Sequence, residues 1–363
     1  MKKTSLMKIT LISTGMLILA WCTTQQISVD SDVIDISSGA TSSRPTSPTP
    51  SAEGKALNIV TTFAPLYAHT ANIVDANDTL TNLVPPGTSV HFWQPKPSDV
   101  LAMEQADAII TNWIWLEEFL DDYLESLKSK WVQIIDTSIW VETMEFGEHK
   151  EEGLEENEKD THDEHSDHEE HDEHDDHDDH AEHEDEGHED AHHHEWPDPH
   201  IRLDIDNALI QANNIRTSLA ALDPSQAEVY KNNAATYTQT LQELDRSITA
   251  QISSKDIQPF VVFHDAYQYF LHRYDLETSQ VWLVQKFHGD NPSQKKIAEL
   301  IATIQNEWVQ TLYTEPQFNP SIIQRLQQET GVSAQEIDPI GSKLSKDGYV
   351  DNMKNLAKSF VDV

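Results

Sequence analysis

The sequence predicts an α/β protein with two parallel β-sheets, one in each of two lobes, and a long helix between them. Short apolar runs alternate with amphipathic runs in two series, one within residues 56–144 and one after residue 258. Such alternation is typical of βαβ units, in which helices cover both faces of a parallel sheet. The polar stretch before the second series contains no Gly or Pro over residues 225–258. This stretch is therefore predicted to be one long helix.

The first series contains four predicted strands and three predicted helices. The strands are short apolar runs at residues 57–63, 80–84, 106–111 and 132–137. The helices are amphipathic runs at residues 66–74, 97–105 and 115–127. Pro97 or Ser98 suits the start of the second helix, because proline is tolerated in a first helical turn.

The second half of the chain opens with a helical stretch at residues 205–253. Asp223-Pro224 interrupts it, and Pro224 and Ser225 fit a new helix start. Strands are then predicted at residues 260–264, 280–285, 309–314 and 334–337, and helices at residues 266–273, 293–305, 321–330 and 350–360. We therefore expect two Rossmann-like lobes joined by a rigid backbone helix. Ligands of such sheets bind in the loops at the strand ends.

Residues 145–195 consist almost entirely of histidine and acidic residues. Histidine recurs at every third position and then in a final cluster: His162, His165, His168, His171, His174, His177, His180, His183, His188, His192, His193 and His194. Imidazole is a common zinc ligand. Charge repulsion and the lack of apolar groups oppose folding here. We predict a disordered, multivalent, low-affinity metal-binding loop; the alternative is a solvated acidic linker.

Length, charge and cysteine content limit the class of protein. The 363 residues suggest two globular units with additional segments. A formal net charge of −39 argues against a nucleic-acid partner and suits a protein that attracts cations. Cys22 is the only cysteine, which excludes a disulfide framework and thiolate metal sites.

The first 22 residues have the pattern of a lipoprotein-type signal peptide. A basic start precedes an apolar run at residues 9–20, too short to cross a bilayer as a mature helix. Cys22 follows in a segment that resembles a bacterial lipobox, so we expect it to be lipidated. Trp21 departs from the small residue usual at that position, and an uncleaved anchor or ordinary secretion are the alternatives. Residues 23–55, rich in Ser, Thr and Pro, are predicted to form a flexible tether.

Six histidines lie outside the tract: His69, His91, His200, His264, His272 and His288. His91, His200 and His264 each fall in a predicted loop or at a strand end. Three imidazoles from separate loops would form a zinc site with one position left over. Spacing alone leaves surface or capping histidines as the alternative. His69 and His272 are predicted packing or surface residues, and His288 is either an auxiliary ligand or an exposed loop histidine.

Five segments carry a resemblance to a known family. They are VPPGTSVHFWQPKPSD at residues 84–99, WPDPHIRLD at 196–204, FHDAY at 263–267, TEPQF at 314–318 and IDPIG at 337–341. In this order they resemble the metal-binding solute receptors of bacterial ABC importers, the zinc and manganese family called cluster 9. The resemblance covers residues 56–363. A His-rich acidic insertion before the Asp-Pro-His segment is typical of the zinc-specific members.

The resemblance implies a metal site in the cleft between the lobes. His91 and His200 would come from the first lobe and its edge, and His264 from the second. Asp338, Glu315 or water would occupy the fourth position. Manganese-specific members tend to have a carboxylate in place of His264, and three nitrogen ligands favour Zn²⁺ over Mn²⁺. Arg202 departs from the bulky aromatic that the family often has, and Phe92 lies directly beside His91.

The predicted organisation along the chain follows from these segments. It comprises a signal peptide (1–22), a tether (23–55), an N-terminal lobe (56–144), the His-rich loop (145–195), a return to the N-terminal lobe (196–222), a linking helix (223–257) and a C-terminal lobe (258–363).

The resemblance implies an extracytoplasmic, high-affinity zinc receptor that delivers Zn²⁺ to an ABC permease and its ATPase, and not an enzyme. We expect a monomer that is periplasmic or held at the membrane by its lipid anchor. A zinc- or manganese-binding adhesin and a metal buffer are alternatives. A zinc-dependent hydrolase is another, since three histidines and an open position also describe catalytic zinc. The family resemblance argues against the hydrolase.

Overall fold

Two parallel β-sheets organise the chain, and the predicted α/β fold class is confirmed. The computed structural model describes residues 55–145, 197–277, 280–285, 292–316 and 319–362. The first sheet contains β1 (Asn58–Thr61), β2 (Thr79–Asn82), β3 (Ala108–Thr111) and β4 (Gln133–Asp136), in the order β2-β1-β3-β4. The second contains β5 (Phe260–His264), β6 (Gln280–Gln285), β7 (Thr311–Thr314) and β8 (Ser333–Glu336), in the order β6-β5-β7-β8.

Apart from the third, the helices follow the predicted series with small shifts at their ends. They are α1 (Ala64–Ala71), α2 (Pro97–Glu104), α3 (Leu124–Ser129), α4 (Ile205–Leu222), α5 (Ala227–Ile252), α6 (Gln268–Arg273), α7 (Gln294–Asn306), α8 (Pro320–Thr330) and α9 (Gly348–Val361). Pro97 begins α2, as predicted. In the described part of the chain, none of the helices combines the length and apolar character needed to cross a membrane.

The strand order places a potential binding position in each sheet. From β1 the chain passes to β2 on one side and then to β3 on the other, and β5, β6 and β7 repeat this arrangement. In open parallel sheets, ligands bind at the carboxyl ends of the strands where the order reverses. The last residue of β5, His264, lies at this position in the second sheet.

The linking helix α5 has one buried face. Its buried residues recur every three or four positions: Tyr230, Ala234, Tyr237, Leu241, Leu244, Ile248 and Ile252. The helix packs against α4 and α9, and α9 also packs against α1. One hydrophobic cluster therefore runs from the first sheet through α5 to the last helix of the chain.

Both faces of β5 are buried. Phe260 and Val262 belong to the cluster that includes α5, whereas Val261 and Phe263 pack in a second cluster with residues of α7 and α8. Alternate residues of a strand point to opposite faces, so helices cover this parallel sheet on both sides.

The predicted helix at residues 115–127 is wrong in its first half. Residues 113–115 have φ angles of 60°, 52° and 59°, a left-handed conformation that costs an L-residue roughly 1–2 kcal/mol. A 3₁₀ helix at Glu118–Tyr123 then precedes α3. The buried Glu117 carboxylate stabilises the turn by accepting hydrogen bonds from the backbone amides of residues 112 and 113, at 2.7 and 2.8 Å. Apolar periodicity does not reveal such a contact.

Candidate metal centre

Three histidines from separate segments converge. His91 lies in the loop between β2 and α2, His200 lies directly before the 3₁₀ turn Ile201–Leu203, and His264 ends β5. Their potential ligand nitrogens all lie within 4.8 Å of one another. Across the described residues, this is the one group of three or more His, Cys, Asp or Glu side chains so placed. His200 and His264 are buried, and His91 is half-buried.

The distances among the three imidazoles fit the binding of one shared metal ion. The ring centroids lie 5.5 Å apart for His91 and His200, 6.0 Å for His91 and His264, and 5.0 Å for His200 and His264. The Nε2 atoms of His91 and His200 are 3.4 Å apart. Two nitrogens bound tetrahedrally to one zinc at 2.0–2.1 Å are also about 3.4 Å apart. The pair can therefore bind one ion with little rearrangement.

A carboxylate from the same loop orients His200. Oδ1 of Asp198 lies 2.6 Å from Nδ1 of His200 and also accepts a hydrogen bond from its backbone amide at 2.8 Å. An ionised carboxylate only accepts hydrogen bonds, so Nδ1 then carries the hydrogen and Nε2 presents its lone pair. Such carboxylate–histidine pairs fix the tautomer and the ring orientation of metal ligands.

A carboxylate from a neighbouring strand occupies the equivalent position behind His264. Glu315 directly follows β7, which pairs with β5. Its Oε1 lies 3.1 Å from Nδ1 of His264 and accepts a hydrogen bond from the Tyr267 hydroxyl at 3.2 Å. Both buried histidines therefore have a carboxylate at Nδ1, which leaves Nε2 for a metal ion.

Burial opposes the charge on Asp198. It raises the pKa of Asp198 well above its usual value, while the amide of His200 and the positive charge of Arg202 favour the ionised form. A divalent cation at the imidazoles would favour that form further. The ionised carboxylate of Asp198 and a cation bound at the imidazoles would therefore stabilise each other.

The end of β3 supports the loop that carries His200. The side-chain amide of Asn112 donates to the carbonyl of Pro199 at 3.0 Å and accepts from Gln211 at 3.2 Å. Glu117 binds the backbone of Asn112, and burial raises the pKa of Glu117 to about 7 against the hydrogen bonds that it accepts. The left-handed turn is thus part of the support for His200.

The two predicted protein alternatives for a fourth ligand lie outside the three-histidine group. Glu315 contacts Nδ1 of His264, and Oδ1 of Asp338 accepts hydrogen bonds from the backbone amides of Ile340 and Gly341, each at 2.9 Å. Their roles as ligands stay predictions, as does water at that position.

Of the remaining histidines, His69 and His272 lie in the described part of the chain. His69 is fully buried in α1 with Nδ1 2.8 Å from the hydroxyl of Tyr237, and burial lowers its pKa to about 3. His272 is exposed and lies 2.9 Å from Glu277. His288, the His-rich tract and Cys22 lie outside the described residues.

The described residues that flank the His-rich tract lie together beside the metal centre. Glu145 and Pro197 form an antiparallel bridge. The hydroxyl of Tyr269 accepts from the amide of Met144 and donates to the carbonyl of Asp198, each at 2.9 Å. The described residues on either side of the tract therefore lie next to the loop that carries His200.

Sequence reasoning missed three residues that support the histidines. Asp198 could have been found, because it precedes His200 by two positions and a carboxylate is a usual partner of a metal-bound imidazole. Tyr267 and Glu117 give no comparable sequence signal, since their contacts depend on how distant segments pack.

Fold and site define a two-lobed α/β protein with a three-histidine cluster at the carboxyl ends of its strands. Over residues 59–363 the chain matches the family model described as zinc-uptake complex component A, periplasmic. The chain belongs to this family.

Relatives with different metals in their names share this sequence pattern or fold. The chain is 30% identical to the zinc-binding protein AdcA of Streptococcus pyogenes serotype M3, over 82% of the chain and 52% of AdcA. It is 26% identical to the manganese-binding lipoprotein MntA of Halalkalibacterium halodurans, over 86% of the chain and 89% of MntA. The binding protein FpvC of Pseudomonas aeruginosa, solved with Ni²⁺, has a TM-score of 0.64 at 20% identity, covering 85% of the chain and 98% of FpvC. The chain spans about half the length of AdcA.

Proposed function

We propose that this protein is an extracytoplasmic receptor that binds Zn²⁺ with high affinity and delivers it to an ABC-type import permease. The convergence of His91, His200 and His264 carries the proposal, together with the carboxylates at Nδ1 of two of them. Three neutral imidazoles with oriented rings form a typical zinc donor set.

The donor set favours zinc over manganese. Imidazole nitrogen suits zinc, copper and nickel, whereas manganese is better served by carboxylate, carbonyl and water oxygens. Because proteins of one fold are named for zinc or manganese or were solved with nickel, the fold alone does not select the metal. The side chains at the three histidine positions all supply nitrogen, which favours zinc over manganese.

The family description supports the location and the transport partners. It names a periplasmic component of zinc uptake, and MntA is named a lipoprotein. We infer that a permease and its ATPase receive the ion, that Cys22 carries a lipid anchor, and that the receptor acts as a monomer. The lobes would be residues 56–144 with 196–222, and residues 258–363, joined by residues 223–257.

The His-rich tract would gather zinc near the tight site. The described residues that flank it lie beside His200, so ions bound weakly by the tract would be held at high local concentration close to the centre. Histidines bind metal when neutral, and neighbouring carboxylates raise their pKa. Capture by the tract should therefore weaken below about pH 6.5.

Binding and release, without bond cleavage, is the proposed activity. The family is one of transport components, and no catalytic residue is assigned to the site. A metal-binding adhesin or metal buffer would use the same histidines, so import has to be tested in cells. Cells that lack the gene should grow poorly under zinc chelation, and the intact gene should restore growth whereas a His200→Ala variant should not. Equal restoration by both would contradict the receptor function.

Competition titration tests the choice of metal. The full chain should retain Zn²⁺ at one tight site in the presence of a large excess of Mn²⁺. Preferential retention of Mn²⁺ at that site would overturn the assignment of zinc.

A further inference from the structure

Arg202 is a buried cation close to the metal centre. It follows His200 by two residues, and only 1% of its surface is exposed. Its Nε donates to the carbonyl of Pro339 at 3.0 Å, and its guanidinium carbon lies 5.3 Å from the ring centre of Phe63. Its own carbonyl accepts from the Tyr349 hydroxyl at 2.7 Å. Arg202 thus contacts three separate segments. Phe63 follows β1, Pro339 follows β8, and Tyr349 lies in the first turn of α9.

The guanidinium is incompletely satisfied. Nη1 of Arg202 is buried and has no hydrogen-bond partner in the described part of the chain. Arginine stays protonated in proteins, and an isolated buried charge is costly unless opposite charges compensate it. A buried donor without a partner is uncommon and requires an explanation.

Three carboxylates supply the compensating charge. Burial lowers the pKa of Arg202, and the negative charges of Asp198, Glu315 and Asp338 oppose that lowering. Asp198 and Glu315 are the carboxylates at Nδ1 of His200 and His264. One cation is therefore shared by the carboxylates that orient both buried histidines and by Asp338.

Two of these carboxylates could also become ligands of a metal ion. Glu315 and Asp338 come from the second lobe, and neither belongs to the three-histidine group. A carboxylate oxygen entering the coordination sphere would favour Mn²⁺, whereas three imidazoles favour Zn²⁺. A fixed positive charge that attracts both carboxylates opposes such a movement.

We propose that Arg202 is a positioning residue for metal selectivity, whose buried charge holds Glu315 and Asp338 away from the ion so that the three imidazoles alone supply its protein ligands. The inference rests on the proposed function, because it concerns the same site. A buried arginine whose Nη1 lacks a hydrogen-bond partner would then have a role, because its charge limits which side chains coordinate the metal ion.

The test compares neutral and charged replacements. Arg202→Gln removes the charge but keeps a donor for the carbonyl of Pro339, and Arg202→Met is a second neutral variant. Arg202→Lys keeps the charge. Arg273→Met is the matched control, since Arg273 forms ion pairs with Asp206 and Asp245 but contacts none of the three histidines among the described interactions.

The readouts are the ratio of Zn²⁺ to Mn²⁺ affinity and the visible spectrum of the Co²⁺-loaded protein. The neutral variants should lower the affinity ratio about tenfold or more and shift the Co²⁺ bands towards higher coordination. Arg202→Lys and Arg273→Met should keep the ratio of the parent protein. An unchanged ratio in a neutral variant with a cooperative melting transition would overturn the proposal, and so would an equal loss in Arg202→Lys.

Two further measurements keep the test decisive. If both neutral variants fail to fold, Asp338→Asn in the parent protein replaces them. It should change the affinity ratio less than twofold, and a larger change would contradict a carboxylate held away from the ion. The parent protein is titrated first: failure to bind Zn²⁺ would refute the proposed function itself, whereas tight binding with a ratio insensitive to Arg202 would refute only this inference.

Discussion

The two buried histidines of the metal centre are oriented by carboxylates of different origin. His200 has its partner, Asp198, two residues earlier in the same loop. His264 ends β5, and its partner Glu315 follows β7, the adjacent strand of the sheet. One ligand therefore depends on local sequence and the other on sheet assembly. The comparison predicts that the two histidines contribute similarly to binding but respond differently to changes in their surroundings.

Loss of either buried histidine should have the largest effect on binding. Structural zinc sites of four ligands are worth about 10–16 kcal/mol, so one ligand contributes roughly 3 kcal/mol, or about a hundredfold in affinity. His200→Ala and His264→Ala should each lose at least that much in chelator-competition titrations. Asp338→Ala should lose less, because Oδ1 of Asp338 binds backbone amides. Equal retention of affinity in His264→Ala and Asp338→Ala would remove His264 from the site.

Removal of the charge at each carboxylate should have the next largest effect. Loss of a partner behind a metal-bound histidine typically costs about 10–100-fold in affinity. Asp198→Asn should lose more than Glu315→Gln, because the contact of Asp198 with Nδ1 is shorter, 2.6 against 3.1 Å, and Asp198 also binds the amide of His200. Glu228→Gln, at an exposed ion pair with Lys231, is the control and should bind as the parent does. A larger loss of affinity in Glu315→Gln than in Asp198→Asn would show that the contact made by sheet assembly matters more than the local one.

Among the described residues, His69 is a third buried histidine, and its hydrogen-bond partner is a hydroxyl rather than a carboxylate. His69 faces the Tyr237 hydroxyl and the ring of Tyr349, and burial lowers its pKa to about 3. In the unfolded protein, His69 takes up a proton below about pH 6.5. In the folded protein, it does so only below about pH 3. Its contribution to stability is therefore complete above pH 6.5 and is lost as the pH falls.

Urea unfolding of the metal-free protein measures this contribution. Between pH 7 and pH 5, the parent should lose about 2 kcal/mol of unfolding free energy through His69. His69→Gln, which can still bond to Tyr237, should lack that loss, and His272→Gln at an exposed position should behave as the parent. The same pH dependence in His69→Gln and the parent would show that His69 does not titrate as its burial requires.

Deletion of residues 153–194 should have the smallest effect on the tight site. The deleted protein should keep one tight zinc site of unchanged affinity and lose several weaker ones in titration calorimetry, because the three histidines lie outside the tract. Disappearance of the tight site with the tract would contradict this division of roles.

Most of the fold could be predicted from the sequence, because it follows local patterns. The apolar run that became β5 has the predicted bounds, and α2 begins at Pro97 as expected. The left-handed turn at residues 113–115 could not be predicted, since it depends on the distant packing that buries Glu117 beside Thr62. A carboxylate contact between remote segments leaves no periodic signal.

The candidate site was predictable in part. His91, His200 and His264 could be chosen from their loops and from the family resemblance, and the structure brings them together. Glu315 could be flagged as a possible ligand, but its contact with Nδ1 of His264 requires the pairing of β5 and β7. The burial of Arg202 contradicts what its residue type suggests, since arginine is mostly exposed.

Anomalous scattering at the zinc absorption edge from crystals of the zinc-loaded protein tests whether the three histidines together bind the ion. We expect one strong peak about 2.0–2.1 Å from Nε2 of His91, His200 and His264, with Asp198 and Glu315 at Nδ1 of the two buried rings. A strong peak bound elsewhere, with none at the three histidines, would contradict this expectation.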